Sequence, residues 1–263
     1  MLMAIDVGNT NMVFGLLEGK ELVGSFRLMT DANRTSDEIG LTVCEYFRRF
    51  NLSTDQVCDI IIASVVPQVM YTLTSAIVKY FGKKPILIDD DVSPGIQYEG
   101  EDHLGADRAV SCVAAMEKYG KPLVVLDFGT ATTVDALDEK GIYLGGSILA
   151  GVRVSTDALF RQAAMLPRIE LIRPASVLGQ NTIAQIQAGS VMGYIGAIEY
   201  LIRHTKAEMG YGDGVKVVAT GGLARLIADN TDLIDVVDSQ LIVDGLRIIY
   251  ERYQKQQESE KYE

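Results

Sequence analysis

Apolar residues along this chain follow two rhythms: short unbroken runs that mark buried strands, and residues three and four apart that mark helices. The run from Met1 through Ala4-Ile5 to Asp6 is of the first kind and ends in a tight turn, Gly8-Asn9-Thr10-Asn11. A second strand is expected around Met12 to Leu17, then a charged turn and a third strand. Thr35-Ser36-Asp37-Glu38 opens a helix, with Ile39, Val43, Tyr46 and Phe47 on one face to about Phe50. Ile60 to Val66 reads as a buried strand stopped by Pro67, followed by a helix through Tyr80 and a strand from Pro85 to Ile88. A helix over Arg108 to Lys118 stops at Gly120, and Pro122 leads into another apolar run, Val125-Leu126-Asp127-Phe128. Further helices are expected around Ser155 to Ala164 and Thr182 to His204, then a strand from Val215 to Ala219 and a short helix near Gly222. A closing helix starts near Val243, and the polar residues beyond Tyr253 read as a fraying tail. Strands alternating with helices predict an α/β fold with partly parallel sheets.

The two Asp-x-Gly turns are near-copies. At a constant offset, Asp6, Gly8, Val13, Leu16, Glu18 and Gly24 meet Asp127, Gly129, Val134, Leu137, Glu139 and Gly145. The match points to an internal duplication, with chance similarity between two Gly-rich hairpins as the bland alternative. Two domains follow, residues 1–118 and 119–263.

Composition narrows the class. A chain of 263 residues that is 48% hydrophobic can bury two modest cores. A net charge of −11 argues against nucleic acid or an anionic membrane as the main partner. The longest apolar runs fall far short of a membrane span, and the N-terminal run has no basic segment before it. Cys44, Cys58 and Cys112 lack Cys-x-x-Cys spacing and read as small buried apolar residues in a reducing compartment, hence a cytoplasmic location.

The chemistry concentrates at strand ends. Each apolar strand delivers a carboxylate to a turn whose glycine lets the backbone bend and whose Asn or Thr offers donors to an anion. Because a carboxylate repels phosphate unless a cation lies between, Asp6 and Asp127 are candidates for holding a hard cation. An ordinary hairpin with polar turn residues is the plainer reading of either copy alone. Asp107-Arg108, at a helix start behind a Gly-bearing turn, offers a base and a planar fork for a carboxylate or phosphate. A helix cap at Asp107 with Arg108 in a surface ion pair is the purely structural alternative. Other chemistries drop out. His103 and His204 are the only histidines, too few for a multi-histidine metal centre; His103 reads as exposed in a polar loop and His204 as a late-helix cap. Gly15 to Lys20 is one residue short of a phosphate loop, with Glu21 where Ser or Thr is required, and Gly210 to Gly214 precedes a strand, unlike a Rossmann loop.

Taken in order, Asp6-x-Gly8-Asn9-Thr10, Tyr98, Leu104-Gly105-Ala106-Asp107-Arg108, Asp127-x-Gly129-Thr130-Ala131-Thr132, Gly145-Gly146, Gly179-Gln180-Asn181-Thr182 and Gly221-Gly222 resemble the type III pantothenate kinases over nearly the whole chain. That family belongs with the sugar and acetate kinases and actin. The resemblance implies two duplicated ribonuclease H-like (actin-like ATPase) domains, mixed sheets flanked by helices, and a nucleotide cleft between them. It implies phosphorylation of pantothenate to 4'-phosphopantothenate by ATP, the first step of coenzyme A biosynthesis, with Mg²⁺ and K⁺ or NH₄⁺ as cofactors. By the same resemblance Asp6, Val7, Gly8, Asn9, Thr10, Asn11, Met12 and Val13 form the first phosphate loop, Thr130 contacts ATP, and Gly221 and Gly222 admit the adenosine. Asp127 would hold the monovalent cation and Asp6 would face Mg²⁺. Asp107 would be the base, with Tyr98, Gly105, Ala106, Arg108 and Thr182 around pantothenate, Thr182 reaching the neighbouring subunit of a homodimer. Two other readings stand beside it: a kinase of the same superfamily acting on a sugar or acyl acid, and a nucleotide-dependent regulatory protein without acceptor chemistry.

Overall fold

The structure, a computed structural model, describes residues 1–98 and 104–260. His103 and the last residues of the expected tail, Lys261-Tyr262-Glu263, lie outside the described residues. The chain forms two compact units. Described residues of Met1–Ile96, His103–Glu117 and Gln240–Glu263 make the first; those of Gln97–Asp102 and Lys118–Ser239 make the second. The first unit is thus discontinuous in sequence.

Its sheet has strands β1 (Leu2–Val7), β2 (Asn11–Glu18), β3 (Glu21–Met29), β4 (Asp59–Ser64) and β5 (Ile86–Leu87), in the order β3-β2-β1-β4-β5. β1 pairs antiparallel with β2 and parallel with β4, the mixed sheet that α/β alternation after a hairpin produces. Helix α1 (Ser36–Arg49) begins at a capping box in which Thr35 and Glu38 satisfy each other's backbone N–H groups. Helix α2 (Pro67–Phe81) starts on a proline, whose missing N–H costs nothing at that position, and ends at Gly82 in the left-handed conformation. Ile39, Val43 and Phe47 of α1 and Val69, Leu73 and Ile77 of α2 pack on Met3, Ile5, Met12, Phe14, Ile60 and Ile62. The period of two in a strand sends Leu2, Ala4 and Asp6 to the opposite face. Helix α8 (Leu241–Glu260) packs against β1, β2 and β4, and Gly15 leaves room for Val243, whose Cγ1 would lie 2.5 Å from a Cβ there. Helix α3 (Ala106–Tyr119) meets α8 where Gly245 approaches the carbonyl of Val110, and Arg252 pairs with Glu117 at 3.0 Å. The helix runs on to Glu260 where fraying was expected, with Gln256 Nε2 donating to Glu260 Oε1 at 3.1 Å.

The second unit repeats the hairpin plan. Its strands β6 (Gln97–Tyr98), β7 (Leu123–Phe128), β8 (Ala131–Leu137), β9 (Ile142–Ala150), β10 (Lys216–Thr220) and β11 (Val236–Val237) run in the order β11-β10-β7-β8-β9-β6. The helices are α4 (Val152–Gln162), α5 (Thr182–Gln187), α6 (Gly193–Met209) and α7 (Ala224–Ala228). The helix expected over Thr182 to His204 is interrupted by a π-helical turn, Ala188–Met192, before α6 carries it on to Met209. Ile195, Ile198 and Ile202 of α6 and Ile227 of α7 cover Val124, Leu126, Phe128, Val134, Val217 and Ala219.

Pairing corrects the repeat in one detail. Val7 faces Met12 across the turn Gly8 to Asn11, whereas Phe128 faces Thr132 across the turn Gly129 to Ala131, one residue shorter. Val13 therefore occupies the place of Thr133 and Leu16 that of Ala136, while Gly24 and Gly145 still correspond. A β-bulge follows Leu16 in one copy and Ala136 in the other, so the duplication extends through the third strand. The cysteine expectation also changes: Cys112 is buried, Cys44 is half-buried, and Cys58 is exposed ahead of β4, where the strand's buried run has not begun.

Candidate active site

In the first unit, the chemistry gathers where β1 and β4 end. The turn after β1 is closed by Gly8 N–H donating to the Asn11 carbonyl at 3.1 Å. Thr30 pins it from outside: its Oγ1 donates to the Gly8 carbonyl at 2.7 Å and its N–H to the Thr10 carbonyl at 3.0 Å. Asn9, Thr10 and Asn11 are exposed, Asp6, Gly8 and Val13 are half-buried, and Val7 and Met12 are core residues. The loop thus presents its amides and polar side chains outward on a hydrophobic base. Thr30, one strand away, carried no sequence signal.

Asp107 lies in the first turn of α3, half-buried beside Arg108, so it does not cap the helix from outside. Its Oδ1 accepts from the Arg108 N–H at 2.8 Å, which holds the carboxyl against the helix start. The side chain sits close to Gly105, where a Cβ would meet Asp107 Oδ1 at 3.0 Å and Val65 Cγ1 at 3.8 Å. Val65 also donates its N–H to the Val7 carbonyl at 3.1 Å. One residue after β4 is therefore bonded to the end of β1 and lies near Gly105, and the fold places these two motifs in the same neighbourhood. Ala106 is buried and takes part as backbone.

In the second unit, Asp127 ends β7 between two threonines. Thr220 of β10 and Thr133 of β8 are its register partners on either side, both buried, and the Thr133 hydroxyl has no hydrogen-bond partner among the described residues. Gly221 follows at a φ of 93°, and a Cβ there would lie 2.5 Å from Asp127 Oδ1 and 2.6 Å from Phe128 N. Only glycine fits that place. Gly222 is open, with nothing within 4 Å of the Cβ position. Thr130 is exposed in the turn, and its carbonyl accepts from Gly151 N–H at 3.0 Å. A carboxylate flanked by hydroxyl oxygens is the donor chemistry that suits K⁺ or another hard cation.

Two predicted residues lie elsewhere in that unit. Thr182 opens α5 behind the cap Asn181, whose Oδ1 accepts from Ala184 N–H at 2.9 Å. It lines a cavity of about 670 Å³ with Leu159, Leu166, Ile186 and Tyr194. Burial pushes the Tyr194 hydroxyl above its ordinary pKa, while its hydrogen bond to Thr132 Oγ1, at 2.7 Å, pulls the other way. Tyr98 stands on the edge strand β6, its ring edge-on to Tyr143.

Comparison with known proteins gives this geometry a context. Residues 2–204 match the type III pantothenate kinase family. Among solved structures, a Baf family protein of Campylobacter jejuni, described as a proposed transcriptional activator, is 21% identical, with 96% of this chain and 99% of that one covered at a TM-score of 0.63. MreB 5 of Spiroplasma citri bound to AMPPNP is 9% identical, with 98% of each chain covered and a TM-score of 0.55. The activator of 2-hydroxyisocaproyl-CoA dehydratase from Clostridium difficile, with bound ADPNP, is 13% identical over 98% of this chain and 97% of that one, at 0.53. At such identities the structures speak for the fold alone, and that fold is the actin-like ATPase fold of two mixed α/β domains.

Proposed function

The chain belongs to the type III pantothenate kinase family and is an ATP-dependent pantothenate kinase; on that premise we propose that Asp107 takes the proton of pantothenate's primary hydroxyl as that oxygen attacks the γ-phosphoryl of ATP. The observation that carries this reading is Asp107 itself, a half-buried carboxylate in the first turn of a helix, near Val65, which bonds to the strand that leads into the donor-rich turn. A base of this kind works by orienting the hydroxyl and accepting its proton, and contributes about 10²–10⁴ in rate.

The remaining residues divide the work. Gly8, Asn9, Thr10 and Asn11, with Val7, Met12 and Val13 as their base, take the phosphates, and Thr130 donates to ATP from the second turn. Gly221 and Gly222 let the backbone approach the adenosine. Arg108 offers its fork to the pantothenate carboxylate, with Gly105, Ala106, Tyr98 and Thr182 completing the pocket. Asp6 would hold Mg²⁺ and Asp127, with the hydroxyls of Thr133 and Thr220 beside it, K⁺ or NH₄⁺. These cations supply positive charge that an acidic chain lacks.

A homodimer is part of the proposal. Met165, Val177, Leu178 and Ile183 are strongly exposed apolar residues, and Ile183 follows Thr182 in α5, apolar exposure that suits a second copy of this chain. Among the described residues no helix is long and apolar enough to cross a membrane, and a cytoplasmic location remains part of the same reading.

The test is ADP release with ATP, Mg²⁺, K⁺ and pantothenate. Asp107→Asn should lower kcat by about a thousandfold while ATP still binds with wild-type affinity. Equal turnover in the two proteins would remove Asp107 from the role.

A further inference from the structure

Asp135 is only 2% exposed, in the middle of β8. A carboxyl is costly to bury in a sheet unless a partner holds it. Tyr143 supplies one, its hydroxyl donating to Asp135 Oδ1 at 3.1 Å.

The local backbone is shaped to allow that bond. Asp135 faces Gly146 and Ala136 faces Gly145, but Leu137 faces Tyr143, so Leu144 is an extra residue in β9. Without it Tyr143 would lie opposite Asp138 and point to the other side of the sheet. The bulge turns it to the face of Asp135. Gly145 adopts a φ of 133° to make the bulge. At Gly146 a Cβ would crowd the Val134 carbonyl and lie 3.0 Å from Tyr143 Oη and 3.1 Å from Asp135 Oδ1. Both glycines therefore serve the same hydrogen bond.

On its other side Tyr143 meets Tyr98. In the parallel pairing of β6 with β9 it stands opposite Tyr98, with ring centroids 6.0 Å apart and planes at 71°, the edge-to-face arrangement that aromatic pairs favour. The geometry points to Asp135 and Tyr143 as positioning residues for pantothenate recognition: Asp135 anchors the Tyr143 hydroxyl, and the Tyr143 ring sets the orientation of Tyr98. This rests on the reading that Tyr98 contacts pantothenate.

Steady-state kinetics on Tyr143→Phe, Tyr98→Ala, the double variant and Asp135→Asn test it. Tyr143→Phe keeps the ring and removes only the anchor. It should raise the pantothenate KM about five- to tenfold, the order of loss expected of one hydrogen bond, with kcat and ATP KM near wild type and a lowered thermal midpoint, because the buried Asp135 carboxyl loses a partner. Asp135→Asn leaves a weaker acceptor at Oδ1 and should raise the pantothenate KM in the same direction by a smaller factor. The double variant should be no worse than Tyr98→Ala, because the effect passes through that ring. If Tyr98→Ala raises the pantothenate KM and Tyr143→Phe leaves it unchanged, the positioning role falls and the pocket assignment stands. An unchanged KM in Tyr98→Ala overturns both. A Tyr143→Phe protein with both KM values raised, or an effect that adds in full to that of Tyr98→Ala, marks a general structural role and overturns the inference.

Discussion

At the scale of single residues, the candidate site depends on groups whose chemistry is common and whose setting is not. Asp127 is an ordinary aspartate until β8 and β10 place Thr133 and Thr220 beside it and Gly221 closes over its carboxylate. Gly221→Ala brings two penalties together, a left-handed φ and a Cβ within 2.5 Å of Asp127 Oδ1. It should cost about 1–3 kcal/mol of stability and blunt the response to K⁺, as Asp127→Ala should. Activity measured in K⁺ against Na⁺ reads the second effect separately from folding. A K⁺ response identical to wild type in both variants would refute the cation role. The sequence singled out Asp127, because a carboxylate before a glycine turn is visible in one dimension, and Gly221 through the family resemblance. Thr30, Val65, Thr133 and Thr220 are ordinary strand or loop residues by type, and only pairing across strands gives them a part in the site.

At the scale of elements, boundaries followed the local signals where those signals were chemical. Thr35 with Glu38 starts α1, Pro67 starts α2 and Gly82 ends it, each by satisfying or removing a backbone group at a helix end. The π-turn before α6 has no such signature, and neither does the shorter second turn that shifts β8 by one residue against its copy. The tie between α1 and α2 offers a pH prediction. Asp37 accepts from Lys79 Nζ at 2.6 Å and from the Tyr80 hydroxyl at 2.7 Å, and these two hydrogen bonds, Lys79 first, hold its pKa below the ordinary aspartate range. A depressed carboxylate stabilises the folded state above its unfolded pKa, and that contribution is lost as pH falls through the folded value. The pair is solvent-exposed, so the effect should be small. Thermal midpoints of wild type and Asp37→Asn should differ at neutral pH and draw together as pH falls below the reference aspartate pKa of about 3.9. A gap that is constant from pH 7 to pH 3 would sink this account.

At the scale of the whole molecule, the exposed apolar surface near Thr182 leads to a prediction about assembly. Native mass of the wild-type protein should be that of two chains. Met165→Glu with Leu178→Glu, both at strongly exposed positions, should give a single chain with an unchanged thermal midpoint and a raised pantothenate KM. A single-chain species with the wild-type pantothenate KM would remove the second copy from the site. By itself the sequence determined the α/β class, the duplicated hairpin, the family and a set of candidate residues for the chemistry. Those follow from hydrophobic period, turn composition and motif order, which are properties of neighbouring residues. Only the tertiary structure decided that α8 covers the sheet of the first unit, that Val65 bonds to Val7 and lies near Gly105, and that a bulge turns Tyr143 toward Asp135. Each joins positions far apart in the chain. Such joins are fixed by strand register and by which face a packed helix buries, and neither is written in any local stretch of sequence.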